Sequence, residues 1–299
     1  MSKYLIINAD DFGSFRGANL AIFDLLKDPE SALTSSTIMA PCPWAPDAVR
    51  FAKENPELCI GVHWTFTNEW NSYRWGPVSH SNTESLRDEF GYMHHESDDF
   101  EKHADLDEVY NEAVAQIELL KKLGLNPSHI DNHMGSIYGV ATGRFDLLNV
   151  AFRVAAEYGL PFRFPANLAD EQFSNSMLDI QVDKNVVLGL LSNVVEQAKA
   201  LHVAIPDYLI PNEWSGPQSD SYENFKEYIF ELYKTFPDDA VTETYMHPSL
   251  PTEDLKGASG VWFRREWEYK LLKDPQTKQH IESLGFKLIN YRDLAEMKK

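Results

Sequence analysis

Short runs of β-forming apolar residues alternate with amphipathic stretches along almost the whole chain, and no Gly/Ser/Pro-rich linker interrupts them. Such alternation builds a parallel sheet, because parallel neighbours need a long crossover that a helix fills. KYLIINAD (3–10) is too continuously apolar for a half-exposed strand and reads as a buried one. SSTIMAP (35–41), LCIGVHWTFT (58–67), SHIDNH (128–133), PFRFPAN (161–167), VAIPDYL (203–209), AVTETYMHP (240–248) and FKLINY (286–291) complete the strand list. Helices are expected over 16–27, 45–56, 105–124, 143–158 and 221–236, with a weakly patterned helical stretch over 168–202. The pattern fits one α/β domain over 1–299. Periodicity disappears from 68 to 104, a polar, aromatic and histidine-rich excursion of the kind that serves binding. The ionisable residues collect at the C-terminal ends of the strands, where barrel active sites lie. A TIM-like (β/α) barrel is therefore expected over a doubly wound sheet.

Composition narrows the function classes. The 299 residues carry 27 basic and 46 acidic side chains, a net charge of −19. A pI of about 4.9 argues against nucleic acid, since the mean field repels a polyanion. No apolar run reaches the length of a membrane span, and the N-terminal MSKYLIINADDFG reads as a first strand, not a secretory signal. Cys42 and Cys59 cannot build a disulfide framework and form no C-x-x-C, so a cytoplasmic setting is expected. A homodimer is compatible with this composition, although no interface stripe is visible.

Four strand ends present titratable groups: Asp10-Asp11, His63, Asp131 with His133, and His247. An Asp with two His is a three-ligand metal set that leaves positions for water and substrate. Neighbouring aspartates on an extended strand point to opposite faces, which suggests one ligand and one general base. The competing reading makes the Asp pair a cap for the helix that follows. His63, inside an apolar run, could equally be a hydrogen-bonded core histidine. His129, Asp131 and His133 share one strand face, and three such groups are costly to bury without a metal or a network. His247 precedes Pro248, which favours an extended strand exit aimed into the mouth; a surface turn is the alternative. Trp64, Trp70 and Trp75 crowd the third strand exit and suit either sugar faces or core packing. His94-His95 sits in an acidic loop and reads as solvated. G-x-S-x-G, P-loop and G-x-G-x-x-G patterns are absent.

N-A-D-D-F-G at 8–13, G-V-H-W-T at 61–65, H-I-D-N-H at 129–133, M-H-P at 246–248 and L-I-N-Y-R-D-L at 288–294 together resemble the YdjC-type carbohydrate deacetylases, which include the diacetylchitobiose deacetylases. The resemblance runs from residue 4 to 294. It implies a distorted (β/α) barrel related to polysaccharide deacetylases, with a divalent metal, usually magnesium, on Asp11, His63 and His133. It matches Asp10 to the family's catalytic base and His247 to its acid. The implied reaction removes an acetyl group from an N-acetylated sugar. In one respect the chain departs from the pattern: many relatives carry H-x-H here, whereas His133 is followed by Met134 and Gly135. Histidine-rich ligation would also suit zinc. Asp131 or His129 would orient the ligands, and the 68–104 excursion would help select the sugar. Two rival readings are a metal-dependent hydrolase for another, phosphorylated carbohydrate, for which Arg74 or Arg163 could supply local positive charge, and a barrel that binds sugar or metal without turnover.

Overall fold

The computed structural model describes residues 2–168 and 184–299. Among these described residues seven strands are all parallel: β1 (Lys3–Phe12), β2 (Ser35–Ile38), β3 (Ile60–Trp64), β4 (Ile130–Asn132), β5 (Tyr208–Leu209), β6 (Val241–Met246) and β7 (Phe286–Leu288). Their order is β4-β3-β2-β1-β6-β5. β1 also pairs with β7 through Lys3–Leu5 and with β2 through Asn8–Phe12, so these two lie end to end along one edge while β6 takes the other.

The expected strand at 161–167 is regular on neither side, yet it joins the two outer strands. Ile130 N–H donates to Pro161 O and Arg163 N–H to Ile130 O, both at 2.9 Å. On its far side Phe162 N–H donates to Ala204 O at 3.0 Å and Asn167 N–H to Asp207 O at 2.8 Å. The sheet thus curls round into a distorted (β/α) barrel. Prolines at 161, 165 and 206 remove ladder donors here, which explains the irregularity.

The expected helices appear as Arg16–Lys27, Ala45–Glu54, Leu106–Leu123, Asp146–Tyr158 and Tyr222–Lys234. Asp105 caps Leu106–Leu123 by accepting from the Asp107 and Glu108 amides, and Gly124 closes it at φ 120°. Of the stretch expected over 168–202, the structure gives Lys184–Ala200 as helix; residues 169–183 lie outside the described residues. Elements the patterning missed are Ser97–His103 inside the excursion, then Glu253–Ala258, Trp262–Lys273, Pro275–Ser283 and Tyr291–Met297. Among the described residues no helix is long and apolar enough to cross a membrane.

β1 shows how the core is divided. Leu5, Ile7 and Ala9 belong to the apolar layer shared with the surrounding helices. Ile6 packs at the barrel floor with Val241, Tyr291 and Leu294, and the next residues on that inner face are Asn8 and Asp10. The interior therefore grades from apolar to ionic towards the C-terminal mouth. β3 and β4 pass so closely that a Cβ on Gly61 would lie 2.4 Å from His129 O, which accounts for the glycine of G-V-H.

Candidate metal centre and catalytic cleft

Strand alternation should send Asp10 and Asp11 to opposite faces, and the structure corrects that expectation. Pairing with β2 shifts register between Ala9 and Phe12, and Asp11 takes φ 61°. This bulge turns the second carboxylate back toward the mouth, so both line the same cavity. Asp is among the residues that tolerate the left-handed region. The capping alternative fails, because Arg16–Lys27 begins after Phe15 with no side-chain cap.

Asp11 Oδ1 lies 3.4 Å from His63 Nε2 and 3.2 Å from His133 Nδ1. The far nitrogen of each ring meets a carboxylate: His63 Nδ1 is 2.7 Å from Asp131 Oδ1, and His133 Nε2 is 2.8 Å from Glu69 Oε2. Such backing fixes ring orientation and tautomer and raises ligand basicity. Burial would depress both imidazoles, but Asp131 with Asp11 raises His63 to about 10, and Glu69 with Asp11 raises His133 to about 9. The pocket is thus built to stabilise positive charge. The donor set Asp11, His63 and His133 can converge on one ion, with the buried Asp11 Oδ1 facing both imidazoles. A buried carboxylate oxygen between two imidazoles fits a divalent cation, which would displace the protons.

Asp10 sits beside this group and is differently held. Arg163 grips it with Nη1 to Oδ2 at 2.7 Å and Nη2 to Oδ1 at 2.8 Å, and Asn8 Nδ2 donates to Oδ1 at 2.8 Å. Burial pushes Asp10 up, but Arg163 together with His63 and His247 keeps the carboxyl below its ordinary range. Arg163 also meets Asp131 Oδ2 at 2.9 Å and Glu243 Oε1 at 2.8 Å, so one buried guanidinium joins three carboxylates. Glu243 bonds Tyr291 Oη as well, and burial raises it to about 7.

His247, 28% exposed, lines the same cavity. Burial lowers its pKa, which makes its imidazolium the stronger acid. Glu268 Oε2 accepts from the His247 amide at 2.6 Å and faces Nδ1 at 3.9 Å. Arg265 Nη2 meets Asp11 Oδ2 at 2.7 Å.

These groups surround a cavity of about 460 Å³, also lined by Glu96, Ser97, Asp98 and Glu101 of the excursion and by Tyr138 and Tyr245. That volume suits a mono- or disaccharide-sized ligand. The tryptophans are not its walls. Trp64 is fully buried and donates to Ala113 O, while Trp70 and Trp75 pack with Phe15 and Met39 beneath the mouth. His129 is likewise corrected: it stacks on Tyr291 at 3.8 Å and bonds Ser128 and Asn8 one layer below, so of the two Asp131 alone backs His63. His94 bonds Ser85 O, and His95 bonds Arg74. Met134 and Gly135 have φ 55° and 63°, and a Cβ at Gly135 would lie 3.2 Å from the Tyr138 ring. Glu69, Glu243, Arg265 and Glu268 escaped sequence reasoning. Glu243 carried a signal, because it shares the inner face of AVTETYM with Tyr245; Glu69 is the first acid after the third strand.

The YdjC-like protein family matches residues 4–283. A carbohydrate deacetylase from Vibrio cholerae is 34% identical over 97% of this chain and 96% of its own. One from Enterococcus faecalis is 29% identical over 98% of this chain and 99% of its own. A crystal structure of a proposed cellobiose-phosphate cleavage protein from Enterococcus faecalis superposes with a TM-score of 0.73 at 30% identity, covering 98% and 99% of the two chains. End-to-end similarity at this level, together with the family match, means that the chain belongs to the YdjC-like family, whose curated relatives here are carbohydrate deacetylases.

Proposed function

We propose that this chain is a metal-dependent hydrolase that removes the acetyl group from an N-acetylated sugar or short, chitobiose-like oligosaccharide and releases acetate. The observation that carries the reading is the convergence of Asp11, His63 and His133 beside Asp10 and His247 at one end of a sugar-sized cavity. Asp11, His63 and His133 would hold a divalent ion, which would supply Lewis acidity toward a carbonyl and toward water. Two imidazoles and one carboxylate suit zinc chemically, while the family resemblance implies magnesium.

In this reading Asp10, oriented by Arg163, takes a proton from the attacking water as its oxygen bonds to the acetyl carbon and the C=O π pair moves onto oxygen. The oxygen pair then re-forms C=O as the C–N bond breaks and its electron pair leaves on nitrogen, which takes a proton from His247 in its imidazolium form. Acetate and amine depart, Asp10 returns its proton to solvent and His247 is reprotonated from it. The cavity does not favour a phosphorylated sugar. Its two lining arginines, Arg163 and Arg265, are engaged by Asp10 and Asp11, and Arg74 is held by Asp88 and His95.

The test is acetate release from N,N′-diacetylchitobiose and N-acetylglucosamine by chelated protein, then with Mg²⁺, Zn²⁺ or Mn²⁺ added. Ion-dependent acetate is expected. In Asp10→Asn, turnover should fall by about 10²-fold or more while ion affinity is retained. Acetate release that survives chelation, or an active Asp10→Asn, would sink the assignment.

A further inference from the structure

Asp11 is divided between two kinds of partner. Its Oδ1 faces His63 Nε2 and His133 Nδ1, whereas its Oδ2 is taken by Arg265 Nη2 at 2.7 Å. Arg265 is 13% exposed, and its guanidinium lies over the Trp70 ring at 5.5 Å. The backbone holds it in place too, since Ser249 N–H donates to Arg265 O at 3.1 Å and so ties its helix to the strand exit that carries His247. The fork is therefore fixed by packing and by backbone, not by Asp11 alone.

We infer that Arg265 is a positioning residue that limits how tightly the centre holds its cation. It engages one oxygen of Asp11, leaves the other for the ion, and cancels one negative charge beside it. This rests on the reading of Asp11, His63 and His133 as the metal site. The charge argument gives the direction. A fixed positive charge within a few ångströms of a dication, in a buried setting, opposes binding by an amount worth at least tenfold in affinity. A residue that merely built the site would do the opposite, and its loss would loosen the ion. Glu69 and Asp131 give the two imidazoles a negative surround, and Arg265 offsets part of it, which keeps the ion exchangeable and the ligand carboxylate only half engaged.

The experiment is calorimetric titration of the chelated full-length protein with Zn²⁺ and with Mn²⁺, in wild type, Arg265→Gln and Arg265→Lys. Arg265→Gln should bind the ion at least tenfold more tightly and release it more slowly to a chelator, and Arg265→Lys, which keeps the charge, should stay within about threefold of wild type. Arg265→Met preserves the stem over Trp70, serves if the Gln variant fails to fold, and should move in the same direction. Equal or weaker binding in Arg265→Gln or Arg265→Met overturns the inference while leaving the metal site standing. A wild type that binds neither ion overturns the metal reading itself.

Discussion

Asp131 is wholly buried, yet it meets His63 Nδ1, Thr37 Oγ1, Asn8 Nδ2 and Arg163 Nη2. It sits behind the imidazole and determines which nitrogen faces the mouth. Asp131→Asn keeps the shape but removes the charged acceptor, so ion affinity should drop about 10- to 100-fold with little change in the fold. Titrating Zn²⁺ into both proteins checks this, and unaltered affinity would mean that His63 is oriented by packing alone. At this scale the convergence of Asp11, His63 and His133 was legible because each lies at or beside the C-terminal end of a strand, where side chains gather at the mouth. Asp10 was legible as a neighbour but not as a companion facing the same way, since the bulge that turns Asp11 has no mark beyond the glycine at position 13. Arg163 was legible only as a cation and not as the hub of three carboxylates, because its partners come from three different strands.

The helix Trp262–Lys273 carries Arg265, which lines the cleft, and one turn on Glu268, which holds the His247 amide. Its buried residues are Glu268, Leu271 and Leu272, so the face toward the site is ionic and the apolar period that betrays a helix is broken there. That is why the region between 249 and 285 gave no pattern. Glu268 has a pH consequence. Burial raises it from the usual glutamate range to about 7, so between those values the folded state holds a proton that the unfolded state has lost. Its contribution therefore favours folding at acid pH and fades as pH rises through 7. Glu268→Gln keeps an acceptor for the His247 amide without the charge. Its melting temperature should gain on wild type by a few degrees between pH 5 and pH 8.5, read by calorimetry in both proteins. A gap that stays constant across that range would remove Glu268 from the response.

The molecule as a whole was legible as a barrel from its alternation, but the closing segment was not legible as an irregular one. Residues 161–167 seemed an ordinary strand, whereas three prolines in and beside it leave a sparse set of hydrogen bonds to carry the closure. If that closure is integral, the Phe162 and Arg163 amides should exchange hydrogen as slowly as those of β1, through global opening. Exchange orders of magnitude faster would show a seam that opens on its own. The same topology constrains how the chain is made. One edge of β1 is covered by β6, which begins only at Val241, so a chain emerging from the ribosome carries that edge bare for most of its synthesis. A bare edge in the run LIINA invites pairing with another nascent copy. Asp10 and Asp11 adjoin that run, so like charges confront one another whenever two such edges approach in register. The acids that end as the heart of the cleft thus begin as a guard on the growing polypeptide.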